Sequence, residues 1–164
     1  MLSLLHIENI AVIEQADISF DKGFNVLTGE TGAGKSIVID AISAILGQRA
    51  YRDMIRTGTS KASVRAVFTK VPNFPWFEEN GVEYDGETVI QRDIFLDGKN
   101  VCRVNGTLVT VAILHKLGIQ LINIHGQHDS ASLFDEENHL RFLDAFADNG
   151  ALLADYREKF AAVS

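Results

Sequence analysis

The 164-residue sequence contains a single cysteine, Cys102, so no disulfide can form within it. That usage fits a reducing, cytoplasmic location. No run of about 18 apolar residues occurs, so no ordinary membrane-spanning helix is expected. The opening Met1-Leu2-Ser3-Leu4-Leu5-His6 has neither the basic start nor the small-residue cleavage site of a secretory signal. Basic residues are outnumbered, 15 Lys and Arg against 22 Asp and Glu, for a formal net charge of −7. Nucleic-acid affinity comes largely from Lys and Arg on phosphates, so the balance argues against a chain that binds DNA unaided. Basic residues do gather at Arg49, Arg52, Arg56, Lys61 and Arg65, where a solvated loop and strand edge is the favoured reading. There is no internal repeat and no low-complexity tract.

What is present suits one domain, or one large lobe of a bigger one. The chain is 46% hydrophobic and 23% charged, enough apolar material for a real core. Residues 2–9 and 11–20 read as strands. Asp21-Lys22-Gly23 signals a turn, and Phe24-Asn25-Val26-Leu27-Thr28 reads as a short buried strand. From Ile37 the period becomes helical, through Val38, Ala41, Ile42, Ile45 and Leu46, with Gly47 as the stop. That helix is expected to be buried on most sides. Segments 62–70, 88–96 and 100–104 are rich in strand formers, with turn signals at Asp97-Gly98 and Asn105-Gly106. Pro72 and Pro75 place a loop at 71–77. Residues 108–117 suit a short helix, 119–124 a buried strand, and 135–147 a helix capped by Asp135.

Chemistry concentrates between the apolar run at 24–28 and the helix after it. Gly29-Glu30-Thr31-Gly32-Ala33-Gly34-Lys35-Ser36 fulfils G-x-x-x-x-G-K-[ST], the pattern of a phosphate-binding loop. Gly29, Gly32 and Gly34 allow positive φ and close approach of the backbone to a ligand. Their N–H groups would form an anion nest at a helix N-terminus. Lys35 supplies a compact cation for the outer phosphates, and the Ser36 hydroxyl suits Mg²⁺. The bland alternative is a glycine-rich turn before a helix. ATP with Mg²⁺ is the expected ligand. The β-rich segments with hairpin turns that follow predict an α/β phosphate-loop NTPase with an antiparallel β insert, which resembles the architecture of an ATP-binding-cassette head, here its N-terminal lobe.

Longer stretches carry a specific resemblance. Leu4 to Ile13, Leu27 to Ser36, Leu46-Gly47-Gln48-Arg49-Ala50 and Ile124-His125-Gly126-Gln127-His128-Asp129 resemble the RecN family of bacterial DNA-repair proteins, similar in turn to the SMC family. The likeness covers residues 2 to about 147. It implies a split ATP-binding-cassette head joined to a long coiled coil, acting in recombinational double-strand-break repair at the nucleoid. It makes Gln127 the glutamine that reaches Mg²⁺ and the attacking water; on the residues alone, the favoured reading is a loop glutamine capping backbone groups. It also implies that an arginine near Arg49 or Arg52 contacts nucleotide or DNA, and that Asn9 or a neighbour approaches the adenine. His125, His128 and Asp129, with Cys102 and His139, would be the alternative as metal ligands, at a spacing that matches no zinc pattern.

Two parts of such a head are missing from the sequence. No four apolar residues run into Asp-Glu, the carboxylates that would hold Mg²⁺ and activate water. No Ser-Gly-Gly signature loop occurs. The resemblance therefore implies an N-terminal head lobe at 1–147, with 148–164 starting a coiled-coil helix. Leu153, Tyr156, Phe160 and Val163 carry a stripe that also suits an ordinary amphipathic helix. The implied partners are the C-terminal head lobe of the same protein, a second copy through ATP-sandwiched heads, and DNA; no membrane is expected. Little hydrolysis is expected without the missing groups. The competing expectation is a free-standing kinase acting on a small molecule, with Asp93, Asp97 or Asp129 as its carboxylate. A nucleotide-independent scaffold or DNA-binding module is the third.

Overall fold

A computed structural model of the chain describes residues 1–28, 34–122, 124, 143–144, 146–147 and 149–161. Two compact units divide it, Met1–Asn123 and Ile124–Ser164. The first is built on six strands: β1 Leu2–Ile10, β2 Ile13–Ser19, β3 Lys61–Thr69, β4 Glu87–Phe95, β5 Asn100–Val104 and β6 Thr107–Val109. Every pairing is antiparallel, in the order β2-β1-β3-β4-β5-β6. Among the described residues three α-helices accompany the sheet, α1 Gly34–Ile45, α2 Pro75–Glu79 and α3 Val111–Leu121, with a short 3-10 turn at Arg52–Met54.

Side-chain alternation explains which face is covered. Leu5 and Ile7 of β1, Ala62, Val64, Ala66 and Phe68 of β3, Ile90 and Ile94 of β4, and Cys102 and Val104 of β5 are all buried. α1 packs across β1, β3 and β4, and α3 packs on β5. The opposite face is mixed, with charged and polar side chains set among Leu4, Val67, Val89 and Val101. Its register sets Asp17, His6, Arg65, Gln91, Arg103 and Leu108 side by side across all six strands. His6 Nδ1 lies 2.7 Å from Asp17 Oδ1.

The turns have local causes. Asn105 and Gly106, both at positive φ (+46° and +83°), close the β5–β6 hairpin as an Asn-Gly pair should. Asp97 caps the β4–β5 turn by accepting from Lys99 N at 2.9 Å. Thr110 caps α3, its hydroxyl accepting from Ile113 N at 3.2 Å.

Several expectations need correction. Residues 24–28 do not form a strand: Phe24 is 93% exposed, with Val26 and Leu27 also exposed. A strand needs a ladder partner and apolar cover, and among the described residues this segment has neither. Residues 119–121 extend α3 rather than starting a strand, because Leu114, Leu117 and Leu121 continue a helical stripe; Ile122 then turns extended. The segment at 71–77 is not all loop, because Pro75 opens α2, its missing N–H costing nothing in the first turn. α1 buries one stripe (Ile37, Val38, Ala41, Ala44, Ile45) but leaves Ile39 half exposed.

In the second unit, α4 spans Gly150–Ala161, with Tyr156 and Phe160 stacked at 6.0 Å and both exposed. Of the helix expected at 135–147, residues 143, 144 and 146 are helical, and most of the others lie outside the described residues, as does Val163. Among the described residues no helix is long and apolar enough to cross a membrane.

Candidate phosphate site

Gly34, Lys35 and Ser36 form the first turn of α1, a helix whose first turn carries no carboxylate. The first N–H groups of a helix have no intrahelical acceptor and carry its positive dipole end. Gly34 has open space where a Cβ would stand, and both Gly34 and Ser36 are exposed. An approachable backbone, a hydroxyl and the Lys35 cation on one turn make a donor set suited to phosphate with Mg²⁺. Gly29, Glu30, Thr31, Gly32, Ala33 and Gln127 lie outside the described residues, as do His125, His128, Asp129 and His139.

The opposite end of α1 is fixed on two sides. Gly47 N donates to Ala44 O at 3.1 Å and Gln48 N to Ser43 O at 3.0 Å, a Schellman closure with Gly47 at φ +81°. A Cβ on Gly47 would meet His115 N at 2.5 Å, and one on Gly118 would meet Leu46 O at 2.2 Å. Glycine at both positions lets α3 lie against the end of α1. From the sheet side, Arg92 Nη1 donates to Ala44 O at 2.7 Å and Gln48 O at 2.6 Å, and its Nε to Asn100 Oδ1 at 3.1 Å. Burial lowers the Arg92 pKa, with the Cys102 thiolate acting in the opposite direction. Burial pushes the Cys102 thiol up, Arg92 pulls it down and Asp93 pushes it up. The sequence reading passed over Arg92. Its signal was a charged residue at an inward position between Ile90 and Ile94.

The arginines after α1 separate by their partners. Arg52 donates to Asp97 O at 3.3 Å and Arg56 to Val12 O at 2.8 Å. The Arg49 guanidinium lies over the Tyr51 ring, 5.1 Å from its centre. It borders two clefts, one of about 270 Å³ beside Ile37 and Asp40 of α1 and one of about 440 Å³ against Phe95 and Gly98. Asn9, at φ +55°, stands near the end of β1, where its carbonyl accepts from Arg56 N at 2.9 Å. Its amide reaches Glu8, and no described contact ties it to α1. Asp93 is on the mixed face, 3.7 Å from Lys61 and 3.6 Å from Arg103, on the side of the sheet away from α1. Among the described residues no group of three His, Cys, Asp or Glu could hold a metal, and Cys102 is buried.

A sheet backing a helix that opens on Gly-Lys-Ser defines a lobe of the phosphate-loop NTPase fold. The chain belongs to the AAA domain family, which matches residues 4–138. More particularly, it is 48% identical over 151 residues to the DNA repair protein RecN of Bacillus subtilis (strain 168), covering 90% of this chain and 26% of that protein. It is 45% identical over 166 residues to the DNA repair protein RecN of Halalkalibacterium halodurans, covering 98% of this chain and 29% of the relative. Among solved structures, one from work on ATP-driven dimerization and DNA-stimulated activation of SMC ATPases superposes with a TM-score of 0.66 at 24% identity, covering 87% of this chain and 95% of that one. The fold is thus that of SMC-type heads. The chain spans less than a third of the length of these curated relatives.

Proposed function

We propose that this chain is the ATP-binding N-terminal head lobe of a RecN-like ATPase in DNA double-strand-break repair. The observation that carries the reading is the complete loop sequence Gly29–Ser36, ending in the first turn of a sheet-backed helix. The loop amides and Lys35 would hold the β- and γ-phosphates, and Ser36 and Gln127 would hold Mg²⁺. When bound, the ion neutralises charge developing on the transferred phosphoryl group. Of Arg49 and Arg52, Arg49 is the better candidate for nucleotide or DNA, because the Arg52 guanidinium already bonds the β4–β5 turn.

Residues 1–147 form the lobe in this reading, and 148–164 open a coiled-coil helix. The C-terminal head lobe of the same protein supplies the Asp-Glu carboxylates, a second copy closes the site as an ATP sandwich, and DNA is bound by the full-length protein. The exposure of Phe24, Val26 and Leu27 supports a complementary lobe against the segment entering the loop. The position of Asp93 on the far face from α1 speaks against its use as a kinase carboxylate.

Steady-state phosphate release tests the composite site. The 164-residue chain with Mg-ATP should release phosphate far below the roughly 1–1,000 turnovers per second of complete enzymes. Turnover in that range, or phosphoryl transfer to a metabolite in a substrate screen, would overturn the reading.

A further inference from the structure

Arg92 heads the large fully buried side chains among the described residues, at 2% exposure. It stands where β4 should present an apolar side chain to the core, and no described carboxylate lies within ion-pair distance of it. Its partners are the carbonyls of Ala44 and Gln48 and the amide oxygen of Asn100. A buried charge without a counter-ion is expensive unless its donors are satisfied. The negative end of the α1 dipole supplies part of the compensation.

The helix end does not need this arginine to close. Gly47 and Gln48 already complete the Schellman bonds, so a methionine at position 92 would fill the space without burying a charge. What Arg92 adds is a tie. One guanidinium joins the last turn of α1 to β4 and, through Asn100, to the start of β5. α3 closes the other side, with the Gly47 and Gly118 contacts too close to admit a side chain. The twelve residues of α1 form a rod of about 18 Å. Clamping its far end fixes the direction in which the first-turn amides point. A site ordered beforehand binds more tightly than one ordered by the ligand.

We propose that Arg92 is a positioning residue for the phosphate site: by clamping the C-terminal end of α1 to the sheet it orients Gly34, Lys35 and Ser36 for phosphate. This rests on the nucleotide-binding reading above. The test is the affinity of a fluorescent ATP analogue with Mg²⁺ for the whole chain, at a temperature where circular dichroism shows every variant folded. Arg92→Lys should weaken binding about threefold and Arg92→Met about tenfold. Asn100→Ala, which keeps the charge but loosens its direction, should weaken it about twofold. Val104→Ala, a cavity on the same sheet, should leave affinity unchanged even where its melting temperature falls as far. Wild-type affinity in both Arg92 variants would overturn the proposal, as would equal loss of affinity in Val104→Ala. Should Arg92→Met fail to fold, the Lys and Asn100→Ala arms decide. A wild-type chain that binds no analogue, or binds it equally after Lys35→Ala, would refute the phosphate site itself; binding lost with Lys35 but indifferent to Arg92 refutes only the clamp.

Discussion

Cys102 and Arg92 face each other across β5 and β4, both buried, and each shifts the other's proton affinity. Burial raises the thiol's pKa, so the folded thiol stays protonated at a pH where the unfolded chain has begun to ionise. The native state then binds more protons, and this contribution to stability is present below the ordinary thiol pKa and is lost as pH rises from there through the raised folded value. Urea unfolding between pH 7.5 and 10 should therefore show a steeper loss of stability for the wild type than for Cys102→Ala. Parallel pH profiles would contradict this account of the pair. The same burial makes Cys102 an inert core residue rather than a metal ligand.

At the scale of elements, the contact between α1 and α3 depends on two glycines. Gly118→Ala would drive a methyl group into the Leu46 carbonyl, 2.2 Å from the ideal Cβ position. Overpacking against backbone should cost about 3 kcal/mol and lower the melting temperature by roughly 10 °C in a chain of this size. Gly150→Ala, with nothing within 4 Å, should shift it by less than about 2 °C. Differential scanning calorimetry of the two variants checks the contrast. Neither the glycine contact nor the Arg92 clamp is local in sequence, and that is why neither was read from it. Strands β4 and β5 were legible, because runs of strand formers ended in Asp97-Gly98 and Asn105-Gly106, and β3 was legible from its own run of strand formers. So was α1, from its stripe and from Gly47. The segments at 24–28 and 119–124 were misjudged for a common reason. A short apolar run has no period of its own and takes its structure from whatever covers it. Phe24, Val26 and Leu27 are left exposed, while Leu121 continues the stripe of α3. Of the candidate site, Lys35 and Ser36 were legible because a linear motif encodes them. Arg92 was visible only as a charge out of pattern, and Gln127 drew its role from resemblance alone.

At the scale of the molecule, a six-stranded antiparallel sheet carries the loop helix on one face and a row running from Asp17 through His6, Arg65, Gln91 and Arg103 to Leu108 on the other. Relatives named for DNA repair match nearly all of this chain with under a third of their own length. In the proposed reading the lobe holds one wall of a nucleotide site, and a complementary lobe supplies the remaining groups. Everything in that reading depends on nucleotide held at Gly29–Ser36. Calorimetric titration of Mg-ATP into the 164-residue chain, beside Lys35→Ala, tests it most directly. The account predicts saturable one-to-one binding by the wild type and at least tenfold weaker binding by the variant. No binding by the folded wild type, or equal binding by both, would contradict it.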